Sequence, residues 1–172
     1  MRPDLSHDLN EAEHTIEGHL APLVRKYYPE ARWSETRLDK LPRSATGLFG
    51  MGMNARFQGN YSLVVEEERR VQRALRKLFH LGPIELLSYS VLVNNVADDA
   101  SVAISPFYLR LCFNSLDERL LRRSEDPQHI VERIQHHIRT PYQAIATKHD
   151  LAYDESSLFP YGTNTLQSKD IL

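Results

Sequence analysis

Two β-prone runs constrain this chain most. IELLSYSVLV, from Ile84, and SVAISPFYLRLCF, ending at Phe113, are rich in β-branched and aromatic residues, which suit a pleated surface. Between them NNVADDA supplies Asn and Asp, whose side chains favour reversing turns. Together they predict a central β-hairpin or small antiparallel sheet. Pro106 has no N–H to give a ladder, so the second run should be an edge strand, or be interrupted or bulged.

Helical periodicity flanks this β part. Leu5, Leu9, Ala12, Ile16, Leu20, Leu23 and Tyr27 recur every three or four residues and predict an amphipathic helix over 5–28. Pro22 should kink or break its last turn. Glu30 to Tyr61 is the least regular part, with LFGMGMNARFQGN at its centre; it reads as a long connection with a short strand near Ala31–Leu38. GMGMN is not a phosphate loop, because no Gly-Lys-Ser/Thr follows it and the dinucleotide-binding spacing is absent.

EEERRVQRALRKLFHL, residues 66–81, predicts a second helix. Its apolar stripe is Val71, Ala74, Leu75 and Leu78, with Arg69, Arg70, Arg73, Arg76, Lys77 and His80 opposite, and Gly82-Pro83 stops it. Ser115 to Glu118 reads as a capping box that opens a short helix through Arg123. Asp126-Pro127 pairs an N-cap with proline at the first helical position, and Thr140-Pro141 repeats the device for another helix to about Ala152. The fold class is therefore α+β: a single domain over residues 1–153, then an extended polar tail over 154–172.

Composition narrows the function classes. A formal charge of −2 over 172 residues provides no global field to attract nucleic acid or an anionic membrane. A lone cysteine, Cys112, excludes a disulfide framework and a cysteine-based zinc site within the chain. The polar, acidic N-terminus does not read as a signal peptide, and no apolar run approaches a membrane span. An intracellular location is the expectation.

Residues 126–149 hold four of the eight histidines. At about 100° per residue, Ile130, Val131, Ile134 and Ile138 form the core stripe, while His129, Glu132, Arg133 and His136 cluster opposite it. His129, Glu132 and His136 are neighbours that could ligate zinc, iron or manganese in a metal-dependent hydrolase. Arg133 in their midst would repel a cation, and no HExxH motif is present. The arginine-rich helix could instead bind phosphates of a nucleic acid, although no aromatic residues interleave as stacking platforms. Arg73 and His80, with six residues between them, resemble the Arg–His signature of HEPN ribonucleases, whose all-helical fold the β-prone runs argue against.

No nucleophile elbow or cysteine motif is present, so no catalytic residue and no cofactor is assigned. The leading expectation is a non-enzymatic module acting by protein–protein contact, as a homo-oligomer or as a subunit or adaptor of a larger assembly such as a virion or secretion machine. Its expected contacts are Phe159, Tyr161 and Leu172 in the tail and Arg69, Arg73, Arg76 and Lys77 on the basic face.

Overall fold

A computed structural model describes residues 3–38, 53–96 and 107–156. The element order is α1 (Pro3–Arg25), β1 (Arg32–Leu38), β2 (Met53–Val65), α2 (Arg70–Leu78), β3 (Ile84–Val96), β4 (Phe107–Leu116), α3 (Glu118–Arg123), α4 (Pro127–Lys148) and β5 (Ala152–Ser156). The strands form one sheet in the order β1-β2-β3-β4-β5. The first four pair antiparallel, while β5 runs parallel to β4. Parallel neighbours need a long crossover, which α3 and α4 supply. The α+β class thus holds, with a five-stranded mixed sheet.

Alternation assigns the sheet its two faces. Tyr61, Leu63, Leu87, Tyr89, Val91, Leu109, Leu111 and Phe113 are buried on the face that meets the helices. The other face is polar, and the register aligns Ser34, Ser62, Ser88 and Ser115 in one row across four strands. Ser88 and Ser115 hydroxyls are 2.6 Å apart.

Helices α1 and α4 close the core. Leu5, Leu9, Ile16, Leu20 and Val24 of α1 are buried together with Ile130, Val131, Ile134, Ile138, Tyr142 and Ile145 of α4. The two helices run antiparallel, since Asp8 meets Lys148 (2.7 Å) and His149 (2.6 Å) while the His19 and His137 rings stack 4.6 Å apart. Hydrogen bonds from Lys148 and then His149 hold the Asp8 carboxyl below the usual carboxylate range. Between helices and sheet, Tyr61, Tyr89 and Tyr142 pack ring against ring at 5.1 and 6.2 Å. Burial, and then the neighbouring phenols, push the Tyr89 and Tyr142 hydroxyls above the usual phenol range.

Several elements differ from the sequence expectation. The second half of the supposed connection, from Met53, is a 13-residue strand. Gly59 belongs to it because a Cβ there would lie 2.4 Å from the Tyr61 hydroxyl oxygen, so the glycine makes room for a buried ring. The helix pair divided at Thr140 is one helix of 22 residues with Pro141 inside it. Ile138, Tyr142 and Ile145 continue the buried stripe across the proline, so packing sustains the helix where one backbone hydrogen bond is lost. Pro22 likewise lies inside α1.

Ser115 is still in β4, so the cap of α3 is Asp117, whose Oδ1 accepts the Arg119 N–H at 2.7 Å. Asp126 does cap α4, accepting the His129 N–H at 3.1 Å. β4 starts at Phe107 and is interior rather than an edge strand, flanked by β3 and β5; its register with β3 shifts at Asn114, and the part of the run before Phe107 lies outside the described residues. β5 carries the sheet to Ser156. It is held by Arg139, whose guanidinium grips Glu155 at 2.8 and 2.6 Å, and by the Tyr153 hydroxyl, which donates to Glu155 at 2.9 Å.

Candidate interaction surface

The segment between β2 and β3 departs from this packing. Helix α2 buries none of its residues. Val71 is 73% exposed, Leu78 69%, Phe79 66%, Leu81 56% and Leu75 47%. Among the described residues, the exposed large apolar side chains all fall in this one stretch. Their surface is on the order of 500 Å², within the range of the largest apolar patch on a soluble monomer, a patch that is often functional.

The orientation has a local cause. The helix spans Arg70–Leu78, so Glu66, Glu67 and Glu68 precede it instead of forming its first turn. Glu67 is buried beneath the helix start. Its carboxylate accepts the Arg69 N–H at 3.3 Å and lies 3.6 Å from the Arg119 guanidinium, while its carbonyl accepts Arg73 Nε–H at 2.6 Å. At the other end, Arg76 donates from Nε and Nη2 to the Gly82 carbonyl at 3.0 and 2.7 Å. Arg73 and Arg76 therefore tie the polar side of α2 back to its own flanks. Val71, Leu75 and Leu78 on the opposite side face outward.

The helix ends in a Schellman arrangement. The Leu81 N–H returns to the Arg76 carbonyl at 2.7 Å and the His80 N–H to Lys77 at 3.2 Å, with His80 at φ 53. Behind the helix lies a cleft of about 360 Å³ whose lining includes Tyr28, Glu66, Glu68, Gln72 and Arg122. Most of its charges are matched: Arg32 pairs with Glu66 at 2.9 Å, Arg123 with Glu68 at 3.8 Å, and Arg122 with Glu118 at 2.9 Å. The Arg123 guanidinium also sits 4.0 Å over the Tyr28 ring.

The four basic residues expected to make contacts thus divide. Arg73 and Arg76 bond to the chain's own carbonyls, and Arg69, Arg73 and Lys77 are exposed. Phe159, Tyr161 and Leu172 lie outside the described residues. On α4, His129, Glu132 and His136 are exposed and share a face as expected. Glu132 accepts a hydrogen bond from Gln128 at 2.9 Å, and His136 Nδ1 lies 3.4 Å from the Thr140 hydroxyl. Among the described residues no element closes over them, and no three His, Cys, Asp or Glu side chains are placed to hold a metal ion. His137, on the border of the stripe, is partly buried. Desolvation, and then His19, His136 and Arg133, hold it below the usual imidazole range.

Sequence reasoning did not foresee the outward stripe with Phe79 and Leu81 added to it. One signal could have: between Arg69 and Leu81 the chain has no carboxylate, so the helix has no internal ion pairs to favour a solvated polar face.

No family model, curated protein or solved structure matches the chain. Among the described residues, no helix is long and apolar enough to cross a membrane.

Proposed function

We propose that this chain is a non-enzymatic protein-interaction module, a subunit or adaptor of a larger assembly, and that α2 is its principal contact element. One observation carries the reading. A well-packed domain, with its other helices buried on their apolar sides, leaves the apolar side of one amphipathic helix exposed. Exposed apolar surface raises the free energy of the isolated chain, so its retention is explained by a partner that covers it. The spacing of Val71, Leu75, Leu78 and Phe79 is the i, i+4, i+7, i+8 pattern by which a helix docks on another protein.

The contact set is accordingly Val71, Leu75, Leu78 and Phe79, rimmed by Arg69 and Lys77, with Phe159, Tyr161 and Leu172 as a second proposed contact. The test is the mass of the native particle by light scattering after purification with its partners. A mass above the monomer that collapses with Leu75→Glu/Leu78→Glu, at unchanged thermal stability, is the expected result. A wild-type particle that purifies as a bare monomer, with the variant indistinguishable from it, would remove the reading. Removing residues 157–172 tests the tail and leaves β5 whole; cutting at 154 would take part of the sheet.

A further inference from the structure

Resting on the reading of α2 as a contact element, we infer that its occupant is an acidic amphipathic helix of a different protein. That helix carries an apolar stripe flanked by carboxylates. Three observations on charge and area lead there.

The first is the rim of the stripe. At about 100° per residue, Arg70 and Lys77 lie beside Ala74 on one border, and the neutral Gln72 lies beside Phe79 on the other. Among the described residues neither Arg70 nor Lys77 is paired with a carboxylate. A partner with acidic flanks would supply the missing counter-charges, and charge matching at a rim sets specificity and association rate.

The second is area. A patch on the order of 500 Å² falls short of the roughly 800 Å² per partner of a standard stable interface. It suits one helix laid along another, where a few anchors provide most of the affinity. An antiparallel two-fold pairing of α2 with α2 would bring Arg70 and Lys77 of both copies to one seam, where like charges oppose it, and a parallel one would leave them facing the neutral Gln72 border without counter-charges. Nor, among the described residues, does a second copy offer an acidic stripe elsewhere: α1 has Asp4, Asp8, Glu11 and Glu17, but its apolar side is spent on the core.

The third concerns the surroundings. A lone basic amphipathic helix can lie on an anionic membrane, and unmatched cations around it would strengthen that attraction. Here the basic character stops at the helix, because Arg32, Arg119, Arg122 and Arg123 beside it are each matched by a carboxylate. The unmatched charge is helix-sized, as the proposed occupant is.

Two synthetic helical peptides test this. They share one leucine stripe, flanked by glutamates in the first and by lysines in the second, and each is titrated calorimetrically into the full chain. The glutamate peptide should bind at least about ten-fold more tightly, and added salt should weaken it. Arg70→Glu/Lys77→Glu should reverse the preference, and Leu75→Glu/Leu78→Glu should abolish binding of both. All four positions are exposed, so circular dichroism should show these variants folded. Equal affinities, binding of neither peptide, or glutamate-peptide binding that survives Leu75→Glu/Leu78→Glu would overturn the inference.

Sedimentation as a dimer that Leu78→Glu dissolves would assign the stripe to a second copy instead. Pelleting with phosphatidylserine vesicles, without peptide discrimination, would assign it to a lipid surface. If the native particle is large and α2-dependent yet the glutamate peptide fails, only the acidic occupant is lost and the interaction reading stands.

Discussion

Helices α2 and α4 are built from the same parts and placed in opposite ways. Each has an apolar stripe at helical spacing, and each ends in a Schellman arrangement with a non-glycine residue at φ 53, His80 in one and Asp150 in the other. At α4 the residue after that turn, Leu151, packs against the core; at α2 its counterpart, Leu81, is exposed. At their starts, α4 is capped by the Asp126 carboxylate, whereas Arg69 offers α2 no side-chain cap. Amphipathicity makes a segment a helix in both cases. Which side faces home is decided by what the neighbouring elements offer: a sheet and α1 for α4, but backbone carbonyls and Glu67 for α2.

Removing apolar atoms from each helix is the sharpest way to break the comparison. Ile134→Ala in α4 should cost about 2–5 kcal/mol, because Ile134 is fully buried and a cavity remains. Leu78→Ala in α2 should change stability by no more than about 0.5 kcal/mol. Urea unfolding of both variants measures the difference, and comparable losses would mean that α2 is packed after all. Cap removal comes next. Asp126→Ala should destabilise by about 1 kcal/mol, since the His129 N–H loses its acceptor. Replacing the uncapped Arg69 with Ala should have a much smaller effect in the same assay.

The smallest effect is one of pH. The neutral His137 imidazole is favoured by desolvation and by the nearby His19, His136 and Arg133. Its folded value lies below its ordinary one, so the unfolded chain takes up the proton first. Stability is therefore lost as pH falls through the ordinary histidine range, from roughly 7 to 5.5. The ring is only partly buried, so the loss should be a shallow decline in Tm over that window. His137→Gln should flatten the decline, and an unchanged slope would place the titrating group elsewhere. Helix α2 has no interhelical contact of this kind to lose.

Much of α4 was legible in the sequence. Asp126-Pro127 and the Ile130–Ile138 stripe specify a start and a buried side through local rules alone, and both are found. β2 was hidden because Gly59 resembles loop chemistry, when it is the space into which the Tyr61 ring fits. Pro141 suggested a break because proline costs a local hydrogen bond, while the packing of Tyr142 and Ile145 that offsets it is non-local. The outward stripe of α2 was hidden for the same reason. Periodicity divides a helix into two sides without naming the neighbour of either, and the burial of Glu67 depends on Arg119, fifty-two residues away in the chain. The His129, Glu132 and His136 side was read correctly as lying opposite the core.

The parallel strand β5 also bears on synthesis. β4 can pair with β3 as soon as both have left the ribosome, but its other edge stays open until residues 152–156 arrive, after the whole of α4. An open strand edge is a template for the wrong partner. The nascent domain therefore carries an open edge at β4, in addition to that of β1, through the time needed to make one long helix. Five residues held by Arg139 and Glu155 act as the latch that ends it, and protease protection of β4 should appear only in nascent chains extending past Ser156.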